Sequence, residues 1–453
     1  MTLLVDRPTT SPAAQEVAPT LAGPVPRPLG LLDVVGLWGN LGVSLLGVTG
    51  AIYVLTPVDG ASPLSLAAAL TATVLGTVLG TLALAAVAVL GTRTGAPAMV
   101  LLRGLLGARL SGLPTVLNVA QCLGWGTFEL VTIAGAAHTV LPGTPRWVLV
   151  VVAGALTTAL ALRPLGSVRL LRRYVTLLVV ADLGYLVVVL LTRHPLHETG
   201  GGWGGFWIAV DTLVALSVSF VPLAADYTRH VRSPRATFVG TFVGYGLAQV
   251  ACYALGLVTL LTLGTGADVY GAFVAVPLGT LAFALLAVRE LDQSFVNVYS
   301  TAVSLQNLRP HWDRRVLALV LGAIATALAL VVGIRGYENF LVLLGAVFVP
   351  LTAVLLVDFA CRRGAYDLSI GSPARWSSLL PWALGFVAYE LVNPGYLSGW
   401  APAWQRVDSA LHLRVPGWLS ASLLSFGVAA LVTALLALPR AAARRRATRP
   451  AAG

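Results

Sequence analysis

The chain is a succession of apolar runs, each about 20 residues long, parted by short clusters of arginine, proline and glycine. A helix of that length crosses the hydrocarbon core of a bilayer with its backbone groups bonded internally, which few other folds could do. Of the 453 residues 57% are hydrophobic and 10% charged, far below the ~25% charge of an ordinary soluble domain. The expectation is an all-α, multi-pass membrane protein.

Apolar periodicity predicts about 12 transmembrane helices, near 31–55, 64–91, 113–140, 147–163, 174–192, 207–228, 236–264, 271–304, 315–333, 338–360, 378–393 and 418–438. Every one of the 29 basic residues is an arginine. With the N-terminus inside, five predicted cytoplasmic loops hold 16 arginines and the two tails 7, against 5 on the opposite side. That bias puts both termini in the cytoplasm, on a plasma-membrane protein. The same scatter of arginines between apolar runs gives no footprint for nucleic acid. Residues 1–30, polar and proline-rich, read as a disordered cytoplasmic tail, and 439–453 as a basic one. Cys122, Cys252 and Cys361 have no metal-type spacing and read as packing residues.

Against this background Val288–Asn307 stands out. Arg289, Glu290 and Asp292 interrupt an apolar run, followed by Gln293, Asn297 and Ser300. An ionisable group at bilayer depth costs roughly 2.5 to 3.5 kcal/mol on insertion scales, so such residues face partners, water or a ligand. Arg289 pairing with Glu290 or Asp292 is the structural alternative to a coupling site.

Two other helices carry interruptions. In the first, Gly39 and Gly42 flank Asn40, a composition suited to a local break that would free carbonyls for a cation. In the sixth, Pro222 removes a donor and frees backbone groups near Ser217 and Phe220. Interruptions five helices apart fit two five-helix repeats of inverted topology, with the transported molecule bound between them. In the third helix Trp125 and Glu129 share a face, which suits a flat nitrogen heterocycle: stacking from the indole, hydrogen-bond acceptance from the carboxylate. Asp226 and Asp358 read as helix-end ion pairs, and Asp211 as solvated. The six histidines lie near helix ends or in loops, which argues against a histidine proton relay.

The segments GTRTGAPAMVLLRGLLGARLSGLP, ADYTRHVR, NVYSTAVSLQN and LLGAVFVPLTAVLLVDF, in that order, resemble the nucleobase–cation symporters of the purine–cytosine permease type. The resemblance runs from about Leu31 to Arg363. It implies a LeuT-type 5+5 inverted-repeat fold, with repeats at 31–192 and 207–363 and two peripheral helices in 364–438. It also implies alternating access and a planar base held by Trp125, Glu129, Asn297 and the segment of Ser217 and Phe220; the residues themselves add Gln293 and Asn40 to that set, and a proton or sodium ion bound near Asp292, Gly39 and Gly42. Sodium-coupled relatives place a Ser/Thr pair where Leu291 and Asp292 fall here, which tilts the expectation towards protons. Glu129, as an acceptor, points to an amino-bearing ring such as cytosine, adenine or hydroxymethylpyrimidine. An amino-acid or amine carrier of the same fold is the alternative. No HExxH or aspartate-rich metal motif suggests an enzyme, no resident cofactor is implied, and the partners are the substrate, the ion and the lipid, around a monomer or weak oligomer.

Overall fold

In the computed structural model, residues 25–58, 61–197, 199–265, 268–332 and 337–447 are described; the side chains of 164–177, 292 and 439–447 lie outside the description. The described chain is almost wholly helical. Its first third comprises α1 (Leu31–Gly42), α2 (Leu45–Gly50), α3 (Ile52–Leu55), α4 (Leu66–Thr94), α5 (Ala98–Leu106) and α6 (Gly112–Val140). The middle holds α7 (Arg146–Leu162), α8 (Pro164–Arg193), α9 (Phe206–Val218), α10 (Val221–Thr228), α11 (Pro234–Leu263) and α12 (Val269–Ala275). The last third has α13 (Gly279–Leu308), α14 (Arg314–Val331), α15 (Tyr337–Cys361), α16 (Leu379–Val392), α17 (Trp400–Ala410) and α18 (Ala421–Ala447).

Seven spans among the described residues are long and apolar enough to cross a membrane, and an eighth is a pair bent by 51° at residues 43–44. The other four expected spans are helical, as α7, α8 and α16 and, for 271–304, as α12 and α13 parted at residues 276–278. They fall outside that set, so the count of 12 remains an expectation. Helix α4 shows how sequence chemistry sorts its faces. Leu66, Leu70, Val74, Val78 and Leu82, four residues apart, are exposed as a lipid-facing stripe. On the opposite face, a Cβ on Gly76 would meet the Val210 carbonyl oxygen at 2.7 Å, and one on Gly80 the Ser217 Cβ at 2.7 Å. Small residues let these backbones touch, which is how helices associate where lipid offers no hydrophobic drive.

The helices sort into two bodies. The pieces α1–α3, α4, α9–α10 and α11 pack on one another, and α6, α7, α13 and α14 form a second mutual cluster. The peripheral helices α16 and α18 lie against α15. Contacts between the two bodies are sparse, made chiefly where α1, α2 and α10 meet α13 and where α2 meets α6.

Asp211 differs from expectation. It is buried in α9 and accepts hydrogen bonds from Ser420 Oγ and from the amides of Ala421 and Ser422. A carboxylate there satisfies the free donors at the start of α18, complementing its positive end. Asp226 likewise accepts from the Ala98 amide at the start of α5 (2.9 Å). Asp358 does form helix-end ion pairs, with Arg375 at 2.6 Å and Arg362 at 3.0 Å.

Candidate functional site

Both helices expected to break are interrupted, and each interruption faces the other body. The first lies at Val43–Ser44, one residue past the predicted Gly39–Gly42 segment: Ser44 is extended and caps α2 by accepting from the Leu46 amide. The second lies at Ser219–Phe220, within the predicted Ser217–Phe220 segment, with Pro222 in the first turn of α10. A break exposes donors and acceptors that a continuous helix would pair, so each must find partners.

At the first break the partner is Glu290 of α13. Its Oε1 accepts from Ser44 Oγ at 2.8 Å and its Oε2 from the Leu45 amide at 3.1 Å. Arg289 is fully buried beside it: Nε donates to Asn40 Oδ1 at 3.3 Å, and Nη1 lies 3.8 Å from Glu290 Oε2. Asn40 therefore faces a guanidinium. Asp292, expected to hold the ion, has its side chain outside the described residues; the carboxylate seen at the break is Glu290, two positions earlier. Gly39 and Gly42 lie against α11, where a Cβ on Gly42 would meet the Tyr245 carbonyl oxygen at 2.8 Å.

At the second break the partner is neutral. Gln121 Nε2, from α6, donates to the Ser219 carbonyl at 2.9 Å and to Asn118 Oδ1 at 2.8 Å, while Asn118 Nδ2 donates to Ser304 Oγ at 2.7 Å. Ser217 Oγ donates to Gln249 Oε1 at 2.9 Å. Phe220 packs edge-on against Trp38 and Tyr245, with ring centroids 6.2 and 5.2 Å away.

Between the breaks lies a narrow cavity. Leu41, Gly42, Ser44, Leu46 and Gly47 bound it from the first broken helix, Trp125 and Gln293 from the second body, and Tyr245, Gln249, Tyr253 and Tyr337 from the remaining side. Of the predicted residues, Trp125, Gln293 and Gly42 are on its wall. Glu129 and Asn297 are one helical turn away from Trp125 and Gln293, joined to each other by an Asn297 Nδ2 to Glu129 Oε2 bond of 2.8 Å. Ser217 and Phe220 sit behind wall residues Gln249 and Tyr245, and Asn40 lies on the α1 side of the break.

The unpartnered atoms on this wall set its chemistry. Trp125 Nε1, Gln293 Oε1, Tyr253 Oη and Tyr337 Oη are all buried without a hydrogen-bond partner. Each such group costs about 1–3 kcal/mol if nothing meets it, and native interiors carry few. Four of them belong to residues around this one small cavity, which makes it the candidate site for a polar ligand. Tyr253 and Tyr337 were not evident in the sequence, because a tyrosine within an apolar helix is indistinguishable from a packing aromatic.

The chain's relatives bear on this geometry. Residues 38–370 match the family model for permeases for cytosine/purines, uracil, thiamine and allantoin. The purine-cytosine permease YxlA of Bacillus subtilis (strain 168) is 23% identical over 365 residues, covering 74% of this chain and 77% of the relative. A cytosine permease of Escherichia coli O157:H7 is 24% identical over 321 residues, 66% of this chain and 72% of the relative. Among solved structures, Mhp1, a nucleobase-cation-symport-1 family transporter, in a closed conformation with bromovinylhydantoin bound, superposes with a TM-score of 0.75 at 16% identity over 96% of this chain and 97% of that one. Its inward-facing conformation gives 0.68 at 15% identity over 98% and 95%. These matches show the LeuT-type fold expected from the sequence, and with a family model spanning most of its length, this chain belongs to the cytosine/purine, uracil, thiamine and allantoin permease family.

Proposed function

We propose that the protein imports a nucleobase-like planar nitrogen heterocycle by alternating access, coupled to an ion, and that the cavity between the two helix breaks is the transport site. The observation that carries this reading is the convergence of two interrupted helices and four unpartnered buried polar atoms on one cavity at the seam of two helical bodies. Sparse contacts across the seam suit rocking of one body against the other, with the site exposed to each side in turn. Trp125 offers a flat face for a ring. Glu129 and Asn297 hold each other one turn behind it, and hold Trp125 and Gln293 in register.

The coupling ion is a proton. What supports this is Arg289: its guanidinium lies at the first break, where a second cation would meet a fixed positive charge at short range with little water to screen it. Glu290 and Asp292 are the carboxylates on hand to carry the proton. The same charge disfavours a cationic amine as cargo. The protein acts as a carrier and not as an enzyme, in the plasma membrane with both termini cytoplasmic, as the arginine distribution supports.

Proteoliposome uptake of a panel of bases, with sodium and proton gradients imposed separately, tests the reading. Accumulation under an inward proton gradient alone is expected, with no competition from amino acids. Accumulation driven only by sodium would overturn the choice of ion, and uptake of amino acids in place of bases would overturn the substrate.

A further inference from the structure

We propose that α5 is a plug that closes the transport path on the face carrying the chain's start, cytoplasmic in the proposed topology, and that Arg103 pins it shut. This rests on the reading of two bodies that rock against each other. It gives a role to the segment 91–114, which carries part of the family resemblance and contributes no residue to the cavity wall.

Every residue of α5 except Val100 is buried. Its nine residues make about 14 Å of helix, too short to cross a bilayer. Its leucines are therefore buried against protein. The helix meets α4 and α10 of the first body, and α6 and α13 of the second.

One set of bonds ties the plug to the first body. The Ala98 amide donates to Asp226 Oδ1 of α10 at 2.9 Å. The loop after α15 covers the far side of the plug. There Arg375 donates from Nη1 to the Gly104 carbonyl at 2.7 Å and from its amide to the Leu106 carbonyl at 2.8 Å, while the Ala108 amide donates to the Ser372 carbonyl at 3.1 Å. The ion pair with Asp358 holds Arg375 in place. The fit is close: a Cβ on Gly104 would collide with the Tyr366 ring, and one on Gly107 with the Pro373 carbonyl. Because α15 packs on α9 and α4, these ties belong to the first body.

The set that crosses to the second body is centred on Arg103, which is buried. Its Nη1 stays on the near side, donating to the Leu368 carbonyl at 3.1 Å. Its Nη2 donates to the Asn307 carbonyl at 2.9 Å and to Asn307 Oδ1 at 2.7 Å, in the last turn of α13. Asn307 Nδ2 donates in turn to Thr115 Oγ1 at 2.9 Å and Ser111 Oγ at 3.2 Å, at the start of α6. Tyr227 Oη of α10 adds one more neutral bond across the seam, to the Val296 carbonyl of α13 at 3.2 Å. All three acceptors of the Arg103 guanidinium are neutral oxygens. Those on Asn307 sit at a helix end, where carbonyls lack intrahelical partners and carry partial negative charge. Such a tie can be exchanged for water as the face opens, whereas a buried carboxylate would hold the guanidinium in a pair that is costly to part.

The test reads Cys122, a buried thiol of α6 next to Gln121. The full chain carries Cys252→Ser and Cys361→Ser, so that Cys122 is the one thiol left. A membrane-impermeant maleimide is applied to sealed vesicles of either orientation. Arg103→Gln is expected to raise labelling from the α5 face about tenfold and to leave labelling from the opposite face within about twofold. Asn307→Asp turns the tie into an ion pair and is expected to lower labelling from the α5 face about threefold. An Arg103 that only supports the fold would give more labelling from both faces alike; that result, or unchanged labelling, overturns the plug. Faster labelling in Asn307→Asp overturns it too, and this variant carries the test should Arg103→Gln not fold. Cys122 silent from both faces in every variant counts against it as well. The labelling needs no substrate. Failure of base uptake with this pattern intact therefore sinks the proposed cargo and leaves the plug, and the reverse outcome sinks the plug alone.

Discussion

The two helix breaks solve the same problem with different chemistry. Both free backbone groups at the seam, and both borrow partners from the opposite body. At the first break the partner is a carboxylate, Glu290, with a buried guanidinium beside it. At the second it is a carboxamide, Gln121, held by Asn118. An amide tie has one protonation state and one pattern of bonds. A carboxylate tie can gain or lose a proton, and with it the acceptors that hold Ser44 and Leu45. Under the proposed function, this contrast puts ion coupling at the first break and passive closure at the second.

Glu290→Ala is the strongest way to break that comparison. It removes the carboxylate beside the buried Arg289 and leaves the Ser44 hydroxyl and the Leu45 amide without their acceptor; removing one partner of a buried pair costs about 3–5 kcal/mol. A drop in thermal stability in detergent and loss of uptake are expected. Glu290→Gln sharpens the point, since it keeps an acceptor for Ser44 and the shape: counterflow is expected to persist while gradient-driven accumulation disappears. Unchanged accumulation in that variant removes Glu290 from coupling and leaves Asp292 to be tested in the same way.

Gln121→Ala is expected to act more mildly. It removes neutral bonds to Ser219 and Asn118, worth about 1–2 kcal/mol in all, and should slow uptake several-fold without altering its dependence on the proton gradient. If Gln121→Ala abolished accumulation as Glu290→Gln does, the contrast between a charged and a neutral tie would fall. Asn297→Ala frees the Glu129 carboxylate and is expected to raise the KM for the base with a smaller change in stability.

The smallest effect lies outside the membrane, where residues 26–29 are strapped to the loop after α10. Leu29 exchanges backbone hydrogen bonds with His230 and Arg232, and His230 Nδ1 donates to the Pro26 carbonyl at 2.8 Å, while its Nε2 accepts from Arg229 Nε at 3.1 Å. Burial first, and the neighbouring Arg229 second, hold the His230 imidazole down at about 3. The strapped histidine is thus neutral, and a released one regains the ordinary value of roughly 6.5. The released form then binds the proton, so the strap weakens as pH falls below about 6.5 and levels off near 3. Limited proteolysis near Arg27 should rise between pH 7 and pH 5, and His230→Ala should raise it at both values.

Much of this was legible in the chain. Runs of apolar residues of bilayer length, the arginine bias between them and the Gly and Pro interruptions of two helices are local properties, and local properties survive folding. The Trp125–Glu129 face could be read from helical spacing alone, as could the polar half of α13. What could not be read was which polar group meets which. The sequence placed the ion near Asp292 and took Glu129 as a direct substrate contact. The fold sets Glu290 at the break and joins Glu129 to Asn297, because successive residues along α13 are rotated by about 100° and only the packing against α1 and α6 fixes which positions meet each neighbour.

Asp211 shows the same limit from another side: its partners at the start of α18 are more than two hundred residues away. Tyr253 and Tyr337, on α11 and α15, come to one cavity only when both helices pack around Gly50. The sequence by itself determined that this protein lies in a membrane, that two of its helices break, and which family it resembles, since each depends on residues close together in the chain. Only the tertiary structure decided which carboxylate holds the first break and which polar side chains gather around the cavity, since a buried polar group is defined by its partners, and these come from distant segments.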